Sequence, residues 1–220
     1  MAKLPDNAFR ELKEGEEYEP LLSPSGEHKE ITPWSVGWGI LMAIIFSAAA
    51  AYLGLKVGQV FEAAIPIAII AIGLSTATHR KNALGENVII QSIGACSGAV
   101  VAGGIFVMPA IYMLDLQADF IKIFIAAALG GILGILFLIP FRKYFVKDMH
   151  GKYPFPEATA TTQVLVSGGE GGSQAKPLLV AGLVEGLYDF IVATVGWWNE
   201  NFATRVMDWG VMAADKAKLV

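Results

Sequence analysis

The residues best suited to chemistry lie in one short polar segment, residues 152–160, between two apolar runs. Glu157 follows Pro156 directly, and Pro154 lies two positions earlier. If a helix begins here, Pro156 takes the first helical position, where proline is favoured. Proline has no N–H donor, so we expect free backbone carbonyls near Tyr153 and Phe155. A helix start binds anions, whereas free carbonyls and a carboxylate bind cations or protons.

The surroundings of this segment bear on what it does. Lys152 and Thr159 flank the prolines, and the neighbouring runs are apolar enough to lie in a bilayer. Charge and irregular backbone persist at membrane depth only where protein or a water-filled cavity surrounds them. The segment therefore indicates a pathway for a solute or a proton rather than a catalytic pocket. The alternative is a cytoplasmic turn before a well-capped helix.

A second polar group opens the third apolar run. Glu86 and Asn87 are adjacent, and Gln91 follows Asn87 by four positions. Side chains four apart share a helix face, so the two amides lie together. One carboxylate and two amides can bind a proton, a cation or a peptide backbone. The alternative is a polar helix start, with Glu86 favoured by the positive end of the helix dipole.

Three further carboxylates lie in or beside apolar runs: Glu62, Glu185 and Asp189. Glu185 and Asp189 are four positions apart and share one helix face. Intramembrane carboxylates usually face a cavity or a partner. They are candidates for a proton relay, although packing against another helix explains them equally well.

Composition determines the class of the protein. Of the 220 residues, 55% are hydrophobic and 16% are charged, against about 25% charged in soluble domains. The mean hydropathy is +0.54. We predict an all-α, polytopic transmembrane bundle with a proline-broken or re-entrant segment. The net charge of -4 without a basic face argues against a nucleic-acid partner.

The apolar runs divide the chain into three parts. We predict a polar cytoplasmic tail over residues 1–32, about five transmembrane helices over residues 33–199, including the broken segment 152–165, and an amphipathic or truncated end over residues 200–220. The fourth run is expected to be closed by Pro140-Phe141-Arg142-Lys143. The runs cover about residues 34–55, 61–78, 87–114, 120–139 and 177–198. The length of each run is close to or above the roughly 20 residues that a helix needs to cross a ~30 Å hydrocarbon core.

The distribution of cations predicts the orientation. With the N-terminus inside, eleven of the sixteen lysines and arginines fall on the cytoplasmic side, as the positive-inside rule requires.

Glycines four apart predict close helix packing. These pairs are Gly54 and Gly58, Gly94 and Gly98, Gly130 and Gly134, and Gly182 and Gly186.

Four stretches of the chain resemble the oligopeptide transporter (OPT) family, in its bacterial branch related to plant yellow-stripe-like carriers. They are Leu53-Gly-Leu-Lys-Val-Gly-Gln59 with Ala64-Ile-Pro-Ile67, then Glu86-Asn87 with Gln91, then Ile139-Pro-Phe-Arg-Lys143, and His150-Gly-Lys-Tyr-Pro-Phe-Pro-Glu-Ala-Thr-Ala160 with Val164-Leu165. The last stretch is the specific one. Two positions depart from the family pattern: Val88 replaces a frequent asparagine, and Gln163 replaces a frequent glutamate.

The resemblance implies a function and a site. It implies a secondary active, proton-coupled importer of small oligopeptides or metal-chelate complexes in the bacterial inner membrane, with alternating access around a broken-helix site. Family members are several times longer, so the chain is expected to be the N-terminal portion of a transporter and to pair with the remaining C-terminal part or an oligomer. The expected pathway residues are Glu86, Asn87, Gln91, Lys152, Pro154, Pro156, Glu157, Thr159, Glu185 and Asp189.

Other classes of function remain open on the sequence. The chain has no Walker A loop, G-x-S-x-G, H-E-x-x-H or paired C-x-x-C motif. We therefore expect no enzyme, no resident metal and no cofactor, with the proton gradient as the energy source and the lipid bilayer as the surroundings. A membrane scaffold or assembly subunit, a degenerate fragment, and a channel are the alternatives.

Overall fold

The structure is a computed structural model that describes residues 4–22, 28–58, 60–117 and 119–169, with scattered residues between 180 and 194. The regular elements in these ranges are helices, and none of the described residues forms a strand. The predicted all-α class is confirmed. The chain divides into two compact units, Met1–Leu179 and Val180–Val220. Glu185, Asp189 and residues 200–220 lie outside the described residues.

The described residues of the first unit form five α-helices and two shorter helical turns. The α-helices are α1 (Pro33–Val57), α2 (Ala64–Ala77), α3 (Leu84–Met113), α4 (Phe120–Lys143) and α5 (Pro156–Gly169). A 3-10 turn covers Asp6–Ala8, and a π-helix covers Tyr144–Asp148. α5 coincides with the helix that the proline pattern predicts.

Three of these helices are long and apolar enough to cross a membrane. They cover Pro33–Lys56, Leu84–Met113 and Phe120–Asp148, so the chain is an integral membrane protein. α2 has 14 residues, about 21 Å at 1.5 Å per residue, which is shorter than a ~30 Å hydrocarbon core. α2 is therefore a shorter apolar helix than the other three, and the assignment of the second run as a span stays a prediction. Because most of the fifth run lies outside the described residues, the total of about five spans stays a prediction.

The ends of α1 follow from its sequence. Thr32 caps the helix: its side chain accepts from the Ser35 N–H, and the Ser35 hydroxyl accepts from the Thr32 N–H. This reciprocal capping satisfies two donors that a helix start leaves free. Pro33 takes the first position, where its missing donor costs nothing. Gly58 ends the helix at φ 75°, a left-handed conformation that glycine adopts readily.

α4 ends at the last residue of the Pro140–Lys143 stretch that was expected to close the fourth apolar run. The helix passes through Pro140 to Lys143 and continues as the π-helix Tyr144–Asp148. Proline removes one backbone hydrogen bond, and membrane helices accommodate this through local π or 3-10 adjustments. None of the α4 residues is buried, so within this unit its apolar side chains face outward.

The core of the unit lies where α1 and α2 pack on α3. Met42, Ile67 and Ile90 are almost fully buried there. A Cβ added at Gly94 would lie 2.9 Å from a methyl group of Ile67, which is too close for a real side chain. This glycine confirms the predicted close approach. Gly130 and Gly134, by contrast, have no neighbouring atoms within 4 Å of an added Cβ.

The polar tail is folded against the segment that precedes α5. Arg10 and Glu16 form an ion pair at 2.6 Å. The His150 Nε2 atom lies 2.9 Å from the Asn7 carbonyl oxygen, and the His150 and Tyr18 rings are 5.1 Å apart between centroids. Through these contacts with His150, the tail packs against the segment that precedes the prolines.

Candidate functional site

Glu157 follows the proline segment and lies in the first turn of α5. The helix begins at Pro156, as the sequence predicts. The Thr159 N–H donates to the Phe155 carbonyl at 2.9 Å, so that carbonyl is the first acceptor of the helix. The expectation that it stays free is wrong, because the start of α5 uses it.

A cavity of about 800 Å³ lies beside this helix start. One wall is a face of α3, with Leu84, Val88, Gln91 and Ala95 spaced by three or four positions, as a single helical face requires. The tail closes part of the rim. The remaining described lining residues are Leu4, Tyr18, Pro20, Leu21, Leu22, Glu62, Ala64, Pro154, Phe155, Pro156, Glu157, Ala158, Thr161, Thr162, Leu165 and Val166.

Two carboxyl groups meet in this cavity. Glu62 lies in the connection between α1 and α2, and Glu157 lies in the first turn of α5. Interaction with the Glu157 carboxyl group, together with partial desolvation, raises the pKa of Glu62 above its ordinary value. Gly98 of α3 holds the Glu62 backbone close, since an added Cβ would lie 3.2 Å from the Phe61 carbonyl oxygen. No lysine, arginine or histidine lies among the described lining residues.

Neutral polar groups complete the lining. Thr161 is only 5% exposed, and its hydroxyl has no hydrogen-bond partner within the described part of the protein. An unpaired buried hydroxyl costs folding free energy, and in native proteins such a group is often explained by an ordered water molecule or by a functional role. Gln91 adds an amide from the facing wall. The cavity thus combines an acidic end with hydrogen-bonding groups in an apolar surround.

Glu86 lies apart from this cavity. The Arg80 guanidinium donates two hydrogen bonds to its carboxylate, from Nε and Nη2, each 2.6 Å long. The Thr32 hydroxyl donates a third, at 2.7 Å. The guanidinium also stacks over Trp34, 4.5 Å from the ring centroid. Glu86 therefore joins the starts of α1 and α3 to the connection before α3.

Asn87 is also separated from Gln91 in the structure. Its side chain is 1% exposed, and its amide donates to the Ser75 hydroxyl of α2 at 3.1 Å. Its amide oxygen has no partner among the described residues. The predicted trio is therefore divided: Gln91 lines the cavity, whereas Glu86 and Asn87 tie helices together.

The other predicted residues surround the proline segment. Pro154 and Pro156 line both the main cavity and a neighbouring one of about 760 Å³, and Thr159 lines only the neighbour. Lys152 is exposed in the turn before the prolines and lines neither cavity. The assignment of these residues to a pathway stays a prediction.

Two polar residues of the cavity, Glu62 and Thr161, were not among the predicted pathway residues. Glu62 was a proton-relay candidate, as one of three carboxylates near apolar runs, but nothing in its position linked it to Glu157 ninety-five positions later. Thr161 is one of several threonines after the prolines, and only the packing shows that its hydroxyl is unpaired.

Comparison with known proteins identifies the family. The family described as OPT oligopeptide transporter protein matches residues 30–219. A protein of Haemophilus influenzae named "Putative oligopeptide transporter" is 33% identical over 144 residues, which are 64% of this chain and 22% of that protein. The chain thus spans about a fifth of the length of this relative. No solved structure matches the chain. On the family match, which covers most of its length, the chain belongs to the OPT oligopeptide transporter family.

Proposed function

We propose that the protein acts in a secondary active importer that carries small oligopeptides together with protons. Its place is the bacterial cytoplasmic membrane, with the N-terminus inside. The family and the name of the relative support peptide transport. The observation that carries the proposal is the cavity at the start of α5, whose mainly apolar lining includes Glu157 and Gln91.

The cavity has the dimensions of a small-molecule site. Its volume of about 800 Å³ falls within the roughly 300–1,000 Å³ of known ligand pockets. A peptide of two or three residues carries several amide groups and apolar side chains. Gln91 and Thr161 offer hydrogen bonds to amides, whereas Leu84, Val88 and Leu165 offer apolar contact. This mixture suits a short peptide better than an inorganic ion.

The position of the cavity supports alternating access. Secondary transporters place their sites at broken helices, where helix starts and irregular backbone meet. Here the proline segment breaks the chain between α4 and α5, and the cavity lies at that break. A carboxyl pair that changes protonation would supply the coupling to the proton gradient. The family resemblance also implies metal chelates as a possible substrate. The acidic residues Glu62 and Glu157 in the lining would repel an anionic chelate.

Uptake assays test this proposal. The native polypeptide is reconstituted in proteoliposomes, and uptake of a labelled tripeptide is followed with and without an acid-outside pH gradient. We expect accumulation only with the gradient, and its loss in Glu157→Gln. Glu14→Gln is the matched control, because Glu14 is an exposed acid in the tail. Uptake that needs no gradient would indicate a channel, and no uptake would indicate a scaffold; either contradicts the proposal.

A further inference from the structure

We propose that a polar cavity at the starts of α1 and α3 binds the phosphate group of an anionic lipid headgroup. The cavity has a volume of about 390 Å³ and shares none of its described lining residues with the two cavities around the start of α5. Its lining comes from the segment before α1, from the connection between α2 and α3, and from the first turn of α3. The described lining residues are His28, Lys29, Arg80, Lys81, Asn82 and Glu86.

The charges of this lining favour an anion. Lys29, Arg80 and Lys81 bring three positive charges and Glu86 brings one negative charge, which leaves a net charge of +2 with His28 neutral. The Arg80 guanidinium is paired with the Glu86 carboxylate. Lys29 and Lys81 are exposed, and neither forms a salt bridge with a described residue. Two ammonium groups beside one cavity suit a phosphate group, which lysine binds as a point charge.

Arg80 can serve the same anion although it is already paired. The Glu86 carboxylate takes one hydrogen bond from its Nε atom and one from its Nη2 atom. A guanidinium has five N–H donors, so three remain after these two bonds. The pair with Glu86 and the stacking over Trp34 fix the orientation of the guanidinium. The cavity therefore has one rigid donor group and two flexible cations.

The connection between α2 and α3 holds two of these cations in place. His79 and Asn82, on either side of Arg80 and Lys81, have left-handed backbones with φ of 52° and 53°. This conformation is uncommon outside glycine. The Arg80 N–H donates to the Ser75 carbonyl at 2.9 Å, which ties the turn to the end of α2. The tight turn thus presents Arg80 and Lys81 side by side at the rim of the unit.

The surroundings of the cavity favour a lipid over a soluble anion. α1 and α3 are apolar enough to cross a membrane and both begin here, so the cavity lies at the boundary between the hydrocarbon core and water. Trp34, under the Arg80 guanidinium, is of the residue type enriched at that boundary. Ile31 is 77% exposed two positions after Lys29, and its side chain suits an acyl chain. Basic pockets beside transmembrane helices bind anionic headgroups.

Glutamine variants remove the two lysine charges and leave the Arg80–Glu86 pair intact. We expect Lys29→Gln with Lys81→Gln to weaken the binding of phosphatidylglycerol about thirtyfold. Lys143→Gln with Lys147→Gln is the matched control, because it removes the same charge from two exposed lysines that lie outside this cavity. We expect less than a threefold change there. The single variants Lys29→Gln and Lys81→Gln, each expected to weaken binding about fivefold, repeat the test if the double variant does not fold.

The experiment titrates the native polypeptide in dodecyl maltoside with phosphatidylglycerol, phosphatidylcholine or inorganic phosphate at constant ionic strength. The melting temperature is the readout, since a phosphate that joins Lys29 to Lys81 stabilises the folded state by mass action. Stabilisation by phosphatidylglycerol beyond phosphatidylcholine, lost in Lys29→Gln with Lys81→Gln and kept in the control, supports the proposal. Equal stabilisation by both lipids, or equal weakening in both double variants, overturns it. Stabilisation by inorganic phosphate as strong as that by phosphatidylglycerol assigns the cavity to a soluble anion and overturns the lipid assignment.

Discussion

Arg80 and Glu86 form a bidentate ion pair at the start of α3, with both N–O distances at 2.6 Å. The two side chains differ in exposure: that of Glu86 is 4% exposed and that of Arg80 is 31% exposed. A third bond from Thr32 and the stacking of Arg80 on Trp34 complete the cluster. Removing Arg80 and removing Glu86 therefore have different consequences. Without Arg80, the buried Glu86 carboxylate has neither its partner nor water, whereas without Glu86 the Arg80 guanidinium still reaches water.

We expect Arg80→Gln to destabilise the protein more than Glu86→Gln. The first change strands a buried carboxylate, whereas the second frees a guanidinium that can reach solvent. Arg10→Gln breaks the exposed pair with Glu16 and should change the melting temperature least, since exposed pairs contribute little. Thermal unfolding of the three variants in detergent gives the order. Equal melting temperatures for Arg80→Gln and Arg10→Gln would show that the Glu86 cluster does not stabilise the fold.

Gly94→Val tests the close packing of α3. An added Cβ would lie 2.9 Å from Ile67 and 3.2 Å from the Met42 Cβ, and overpacking of this kind costs about 1–3 kcal/mol. Gly103→Val is the control in the same helix, because nothing lies within 4 Å of its added Cβ. Chemical unfolding in mixed micelles measures the difference in unfolding free energy. Equal stability of the two variants would contradict the observed approach of α2 to α3.

Thr161→Val separates a binding role from a structural one. The substitution keeps the shape of the side chain and removes a hydroxyl that has no partner in the described structure. We expect stability to stay within about 1 kcal/mol or to rise slightly, because an unsatisfied polar group is removed. Peptide affinity should fall about three- to tenfold. Thr162→Val is the comparison, since the Thr162 hydroxyl donates within its own helix, to the Ala158 carbonyl at 2.7 Å. Unchanged affinity in Thr161→Val would remove the hydroxyl from the site.

The tail should release at strongly acidic pH. The hydrogen bond from Arg10, with a further one from the Lys13 backbone, lowers the pKa of Glu16 to about 2. A lowered pKa means that the stabilisation is fully present above the ordinary value of 4.5 and is lost as the pH falls through about 2. Hydrogen exchange of residues 10–16 between pH 2 and 5 reports the release. In Arg10→Gln the loss of protection should move to higher pH, and an unmoved profile would rule out this pair as the cause.

The sequence predicted the parts of the protein that depend on local chemistry. Pro156 before Glu157 indicated the start of α5, and the apolar runs indicated α1, α3 and α4. It did not predict which polar groups meet. Glu86 and Gln91 are close in sequence, yet one pairs with Arg80 and the other faces the cavity. Glu62 and Glu157 line one cavity, and Gly98 lets the chain at Glu62 pass close to α3; such long-range packing leaves no periodic signal in the sequence.

The most direct test of a proton-coupled peptide carrier built around Glu157 is tri-alanine accumulation in proteoliposomes under an acid-outside gradient, with the native protein and Glu157→Gln measured side by side. The native protein should concentrate the peptide above its external level, and the variant should only equilibrate it. Accumulation by Glu157→Gln at the native rate would contradict the role of this carboxyl group in coupling.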